Sequence, residues 1–180
     1  MACEITLGRI EPCKDSIGGL DAIYFVNDGD ATGYTYDAVN TDSIETVTGT
    51  PIAFKYDLKG ASNTFVQTVN SSRDNGTTFF EQKLSITLKK LSVVDHKQLK
   101  LLIYGRPNVI VRDNNGNFFL AGKDFGMDVT GGTIVTGGAF GDLSGYTLEL
   151  TGMEKVPANF FEATTEALLT TSGYTITAGV

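Results

Sequence analysis

The sequence predicts a mainly β protein: a β-sandwich or small barrel with one flanking α-helix and a long protruding β-hairpin arm. Three observations carry this expectation. The 180 residues include 21 Gly, and a 41% hydrophobic total that contains 7 Tyr and 11 Phe, which suits turns and pleated surfaces. Short apolar runs alternate with Gly, Asn and Asp clusters along the whole chain. Only one segment, about 92–104, carries clear helical periodicity. The length suits one domain with an extension, divided here as a β domain over 1–157 and a C-terminal extension over 158–180.

The elements follow in chain order. Ala22-Ile23-Tyr24-Phe25-Val26 is an apolar run between Gly18-Gly19 and Asn27-Asp28-Gly29-Asp30, and reads as a buried strand between turns. Residues 28 to 43 are polar and turn-rich, and read as a loop. Ile52, Phe54, Tyr56 and Leu58 alternate with polar neighbours, so that face is expected to look inward.

The arm is placed at about 64–91. Phe65, Gln67 and Val69 alternate with Val66, Thr68 and Asn70 on its outgoing strand. On the return, Phe80, Leu84, Ile86 and Leu88 share a face opposite Ser85, Thr87 and Lys89. Its base is patterned for a core, and its tip is polar. The residues expected to reach another chain are Asn70, Ser71, Arg73, Asp74, Asn75, Gly76, Phe79 and Phe80. An isolated ribbon is marginal in water, and its exposed edges invite pairing.

Ser92 suits a helix cap, with Asp95 three residues later in the manner of a capping box. Val94, Leu99, Leu102 and Ile103 are expected on the core side, His96, Lys97 and Lys100 on the other. Gly105 suits the position after the helix, and Pro107 blocks its resumption. Val109 to Arg112 and Phe118 to Leu120, joined by Asp113-Asn114-Asn115-Gly116-Asn117, form a hairpin signal. A further strand is expected within Phe125 to Val135, with Gly131-Gly132 to Gly137-Gly138 as a flexible turn region. Tyr146 to Gly152 alternates as a strand, and periodicity weakens after Pro157.

Net charge is −7 and the pI about 4.6, so the surface lacks the clustered cations of a nucleic-acid binder. Met1 to Gly8 has neither the basic start nor the apolar core of a signal peptide. No run approaches the roughly 20 apolar residues of a membrane span. These features predict synthesis in a reducing cytoplasm with no membrane partner, and free thiols at Cys3 and Cys13. Asn70-Ser71-Ser72 and Asn75-Gly76-Thr77 match the glycosylation pattern but carry little without a secretory signal.

Chemistry is sparse. His96 is the sole histidine and sits on the helix's polar side. One histidine with two distant cysteines does not make a zinc site, and no Gly-x-Ser-x-Gly elbow is present. Gly116 to Lys123 ends in Gly-Lys at the wrong spacing for a phosphate loop, with Asp124 where Ser or Thr belongs. Neither Asp28-Gly29-Asp30 nor Asp113 to Asn117 opens a loop with Gly at position six together with Glu at position twelve, and turn chemistry accounts for both. The expectation is a protein that is not an enzyme and takes no cofactor or metal.

IGGLDAIYF near the start, the arm followed by LSVVDHKQLKLLIYGRPNVIVRDNNGNFFLAG, and GDLSGYTLELTGMEKVPANFF occur in this order over residues 16 to 161. This arrangement resembles the tail tube protein of long-tailed bacteriophages. The resemblance implies a structural virion protein that self-assembles into stacked hexameric rings, the conduit for DNA ejection. It implies tail terminator, baseplate or tip, and tape-measure proteins as partners, genomic DNA passing without specific binding, and a place in the virion tail after synthesis in a bacterial host cytoplasm. Neck, terminator and contractile injection-system proteins of similar fold are its siblings. Six chains at −7 would carry about −42 per ring, and acids lining the bore would repel DNA phosphates. Glu81, Asp128 and Glu149 are the candidates for that lining. The alternative is an acidic β-sandwich binding module on a virion or cell surface. The absence of Trp counts against a sugar-stacking site.

Overall fold

The structure, a computed structural model, describes residues 7–60 and 62–179. It is mainly β. The strands are β1 (Leu20–Val26), β2 (Ala31–Tyr36), β3 (Ser43–Gly49), β4 (Ile52–Asp57), β5 (Thr64–Ser72) and β6 (Thr77–Lys89). After helix α1 (Val93–Tyr104) come β7 (Asn108–Asp113), β8 (Phe118–Ala121), β9 (Asp128–Val135), β10 (Gly145–Glu154) and β11 (Asn159–Phe161). A short helix α2 (Glu166–Thr171) and β12 (Thr175–Ala178) complete it. They form an eight-stranded sheet, β12-β4-β1-β7-β8-β11-β3-β2, and a four-stranded sheet, β5-β6-β10-β9.

Two cores lie on opposite faces of the larger sheet. Ile23, Phe25, Val109 and Val111 meet Leu84, Ile86, Leu148 and Leu150 of the smaller sheet, with Leu99 of α1. On the other side Ala22, Tyr24, Val26 and Ile110 meet Ile44, Val47, Phe161, Leu169 and Tyr174. Strands β1 and β7 are therefore buried on both faces, which is why they read as unbroken apolar runs. Each fully buried Ile or Leu contributes about 1.5–3 kcal/mol.

The second core exists because the large sheet curls. Val47 N donates to Ser172 O at 2.7 Å, bringing β3 against the α2–β12 turn without a ladder to close the sheet. Gly173 sits at that contact with φ +116°, and a Cβ there would stand 2.5 Å from Val47 O.

Several expectations need correction. The segment 28–43, expected as loop, contains β2, whose Thr and Tyr pair with β3. On β4 the best-buried residue is Ala53, while Ile52 and Phe54 are over a third exposed. That face does point to the first core through Tyr56 and Leu58. Gly131 and Gly132 lie inside β9, where a Cβ on Gly132 would collide with Thr147 O of β10. Val94 and Ile103 are 63% and 50% exposed, so α1 packs through Leu99 and Leu102 alone. Asp95 N does donate to Ser92 Oγ at 3.0 Å, as the cap predicts. Gly105 ends the helix at φ −94°, extended rather than left-handed. Cys13 is an exposed free thiol, and Cys3 lies outside the described residues.

The segment after Pro157 contributes β11, α2 and β12 to the large sheet and its second core. Glu166, the first residue of α2, pins it there. Its Oε1 accepts from Tyr24 Oη at 2.7 Å and pairs with Lys55 Nζ at 2.6 Å. Burial pushes the Glu166 carboxyl up, but the Lys55 and Tyr24 hydrogen bonds outweigh it and hold the group below its ordinary value of 4.5. A depressed carboxylate stabilises the fold above its unfolded pKa, and that contribution is lost as pH falls through the folded pKa. Denaturant melts from pH 7 downward should show stability falling below about pH 4.5 in the parent chain. Glu166→Gln should be less stable at neutral pH and show a shallower fall over the same window.

Candidate functional site

The smaller sheet turns one face to the core and the other to solvent. In β6 the inward side chains are Gln82, Leu84, Ile86 and Leu88, and in β10 Tyr146, Leu148, Leu150 and Glu154. The intervening residues, Glu81, Lys83, Ser85 and Thr87 on β6 and Thr147, Glu149 and Thr151 on β10, face outward. Thr133 and Thr130 extend this hydroxyl-rich face across β9, bonding Thr147 and Thr151 at 2.6 and 3.1 Å.

The candidate acids all lie on that outer face. Glu149 Oε2 pairs with Lys83 Nζ at 3.1 Å, and Asp128 Oδ1 with Arg106 Nε at 3.0 Å. Glu81, half-buried, makes no ion pair among the described residues. The face is thus mostly charge-compensated. Exposed ion pairs of this kind contribute about 0–1 kcal/mol, so their main effect is on the local field.

The hairpin of β5 and β6 pairs from Thr64↔Ser85 to Ser72↔Thr77. Strand β10 covers the other edge of β6 as far as Phe80↔Glu154. Past that pair, Asn70, Ser71 and Ser72 face Phe79, Thr78 and Thr77 with no third strand beside them. Ser71 Oγ and Thr78 Oγ1 lie 3.0 Å apart, and Asn75 N donates to Ser72 Oγ at 3.3 Å. Arg73, Asp74 and Asn75 are exposed, and Gly76 takes φ +63°, which its residue type allows without strain. Phe79 is exposed on the outer side, and Phe80 half-buried on the inner. Most of the segment 64–91 is thus integral to the sheet, and only the tip extends beyond it.

Both outer strands of this sheet have free edges. β5 is nine residues long and β9 eight. Neither contains Lys, Arg or Pro, and Asp128 is the one charge on either, at the start of β9. Such residues are the usual protection of an edge from other chains. β9 does carry a bulge at Thr130. The outer strands of the larger sheet are shorter, six residues in β2 and four in β12. Every pairing in the small sheet is antiparallel, so β5 and β10 run one way and β6 and β9 the other.

A buried polar cluster braces the turn between β8 and β9, and sequence reasoning missed it. Glu154 Oε1 accepts from Asp124 N and Phe125 N, each at 3.0 Å, and Gln82 Oε1 accepts from Gly122 N at 2.9 Å. Asn108 Nδ2 donates to Gly122 O. The signal was present: Glu154 has the parity of Tyr146, Leu148 and Leu150, which places a carboxylate on the inward face. Burial raises its pKa, against the lowering effect of the two backbone donors.

Among the described residues, no group of His, Cys, Asp and Glu is arranged to hold a metal ion, and no helix is long and apolar enough to cross a membrane. His96 is exposed beside the Tyr146 ring. No family model, curated protein or solved structure matches the chain. Glu154→Ala should lower unfolding free energy by about 2–4 kcal/mol, because it strands two amide donors. Glu154→Gln, which keeps an acceptor oxygen, should lose clearly less; equal losses in urea melts would refute the bracing role.

Proposed function

We propose that this chain is a structural subunit that assembles into rings stacked as a hollow tube, in the manner of a phage tail tube, and that the tube conducts DNA. The observation that carries the reading is the pair of long, uncharged-to-weakly-charged, unpartnered edges on one four-stranded sheet. Backbone donors and acceptors on an edge invite another strand. Because β5 and β9 run in opposite directions, rotation of a copy about an axis along the strands sets β9 of one beside β5 of the next in antiparallel order. Repetition closes a continuous sheet into a barrel, a head-to-tail ring of the kind that closes by symmetry. Closure removes every free edge of the small sheet.

In this reading the two sheets form a β-sandwich, and the hydroxyl-rich face lines the bore. The tip from Asn70 to Phe79 is an arm that reaches along the tube axis to the adjacent ring, where Phe79 finds cover. The −7 charge of the chain then lies mainly outside the bore, since Glu149 and Asp128 are paired with cations. Repulsion of DNA by the bore falls to Glu81 and to whatever the ion pairs leave uncompensated.

Negative-stain electron microscopy over a concentration series tests the assembly, with rings or hollow tubes as the expected result. Only monomers at every concentration would sink it and favour the alternative of an acidic binding module. Replacement of residues 70–78 by a two-residue turn should leave a folded protein, by circular dichroism, that no longer forms tubes. Normal tubes from the shortened chain would remove the arm from the assembly.

A further inference from the structure

The two edges of the small sheet differ in what lies beside them. At the β9 edge, α1 closes the space between the sheets, packed through Leu99 and Leu102. Its start is held by Tyr146 Oη, which donates to Ser92 O at 3.2 Å, and beyond its end Met127 N donates to Pro107 O at 2.9 Å. The helix thus lies along β9, and its far side carries apolar residues as well as lysines. Val94, Leu101 and Tyr104 are 63%, 59% and 82% exposed, and about 100° per residue puts all three on the side away from Leu99. Lys97 lies among them and Lys100 beside them, neither in an ion pair among the described residues.

At the β5 edge the space between the sheets is open. A cleft of about 830 Å³ lies between β5 and the β7–β8 turn, floored by Leu20, Leu58, Phe65, Val111 and Phe119. Its rim carries Asp113, which makes no ion pair among the described residues. The rim is ordered. Asn115 grips the backbone of Ile17, accepting from its N at 2.9 Å and donating to its O at 2.8 Å, and Asn114 Nδ2 donates to Gly18 O at 2.8 Å.

We infer that the outward face of α1 from one copy seats in the β5 cleft of the next. The inference rests on the ring reading above and identifies the contact that fixes which copy goes where. A second copy of this chain is the occupant that fits. The convex apolar helix and the concave apolar cleft sit beside opposite edges of one sheet, so the rotation that pairs β9 with β5 also brings them together. Charge agrees at one side of the cleft, where Lys97 and Lys100 approach Asp113, a carboxylate held in place by Asn115 and Asn117 and opposed by no cation there, while Lys89 stands at the Gly60 side. Edge pairing alone specifies the backbone poorly, because a strand slips by two residues without changing its faces. A helix in a cleft sets the register, and it buries Leu101 and Tyr104 where neither core can.

Leu101→Glu tests this, because a side chain exposed in the single chain can change without harm to its fold. The variant should match the parent in circular dichroism and melting temperature, yet need at least about tenfold more protein to assemble, the loss expected from a buried interface anchor. A covalent test uses the chain with Cys3→Ser and Cys13→Ser, carrying both Leu101→Cys and Gly18→Cys. A Cβ on Gly18 meets nothing within 4 Å, so that thiol stands free at the cleft. Oxidation should give a ladder of linked chains on non-reducing gels, and neither single cysteine should give one beyond a dimer. If tubes form without a ladder, or Leu101→Glu assembles at the parent's concentration, this contact is wrong while the ring stands. If the parent chain never associates, the ring is wrong and the contact falls with it.

Discussion

The constraint on which the architecture turns is the unpaired backbone of β5 and β9. A strand inside a sheet satisfies its amides on both sides, whereas these two satisfy one side and leave the other to water or to another chain. Lys, Arg and Pro, the residues that discourage pairing, are missing from both, and the single bulge on β9 at Thr130 leaves Gly131 to Val135 as regular strand. The rest of the small sheet follows from that exposure. Its inner face is anchored by Leu84, Ile86, Leu148 and Leu150, so the edges are held rigidly. Its outer face is rich in Thr and Ser, with most of its charges paired and with Val66, Phe79 and Met153 exposed among them.

Rigidity at those edges depends on polar groups placed inside. The turn from Gly122 to Gly126 joins β8 of one sheet to β9 of the other; Gly126 N finds Gly122 O within the turn, whereas the amides of Gly122, Asp124 and Phe125 take side-chain acceptors. Glu154 and Gln82, on adjacent strands, supply them. Burial costs Glu154 enough to raise its pKa, yet the two amide bonds retain it. The Glu166–Lys55–Tyr24 group does comparable work at the other end of the molecule, tying α2 to β1 and β4. Both devices join elements distant in sequence: the first ties the smaller sheet to the turn that leaves the larger one, and the second ties the C-terminal segment to the larger sheet.

What was legible in the sequence was periodic. The runs of β1 and β7, the alternation of β6 and β10, the Asp113–Asn117 hairpin and the cap at Ser92 follow from local chemistry, and each has its counterpart in the structure. What was not legible depends on partners far away. Nothing local distinguishes Thr32 to Tyr36 from loop, because β2 is an edge strand whose side chains are only partly covered. The tail from Asn159 looked aperiodic because its segments are short and each fits a different neighbour: β11 between β8 and β3, β12 beside β4. The candidate acids share a face by strand parity, but their cations could not be read. Lys83 lies across a strand pair from Glu149, and Arg106 comes from the end of a helix.

Helix α1 shows why pattern alone misleads at an interface. Apolar residues on two sides blur the single stripe expected of a helix on a sheet, and the sequence reading places Val94, Leu99, Leu102 and Ile103 together on one core side. Val94 and Ile103 were expected inward for that reason, and both stand out in solvent in the single chain. A helix whose polar residues do not segregate has two surfaces to cover. Leu99 and Leu102 account for one. In the proposed ring Val94, Leu101 and Tyr104 account for the other, with Lys97 among them to favour an acidic rim over a like-charged surface. The sequence pattern and the exposed surface then express one requirement, that the chain be completed by its neighbour.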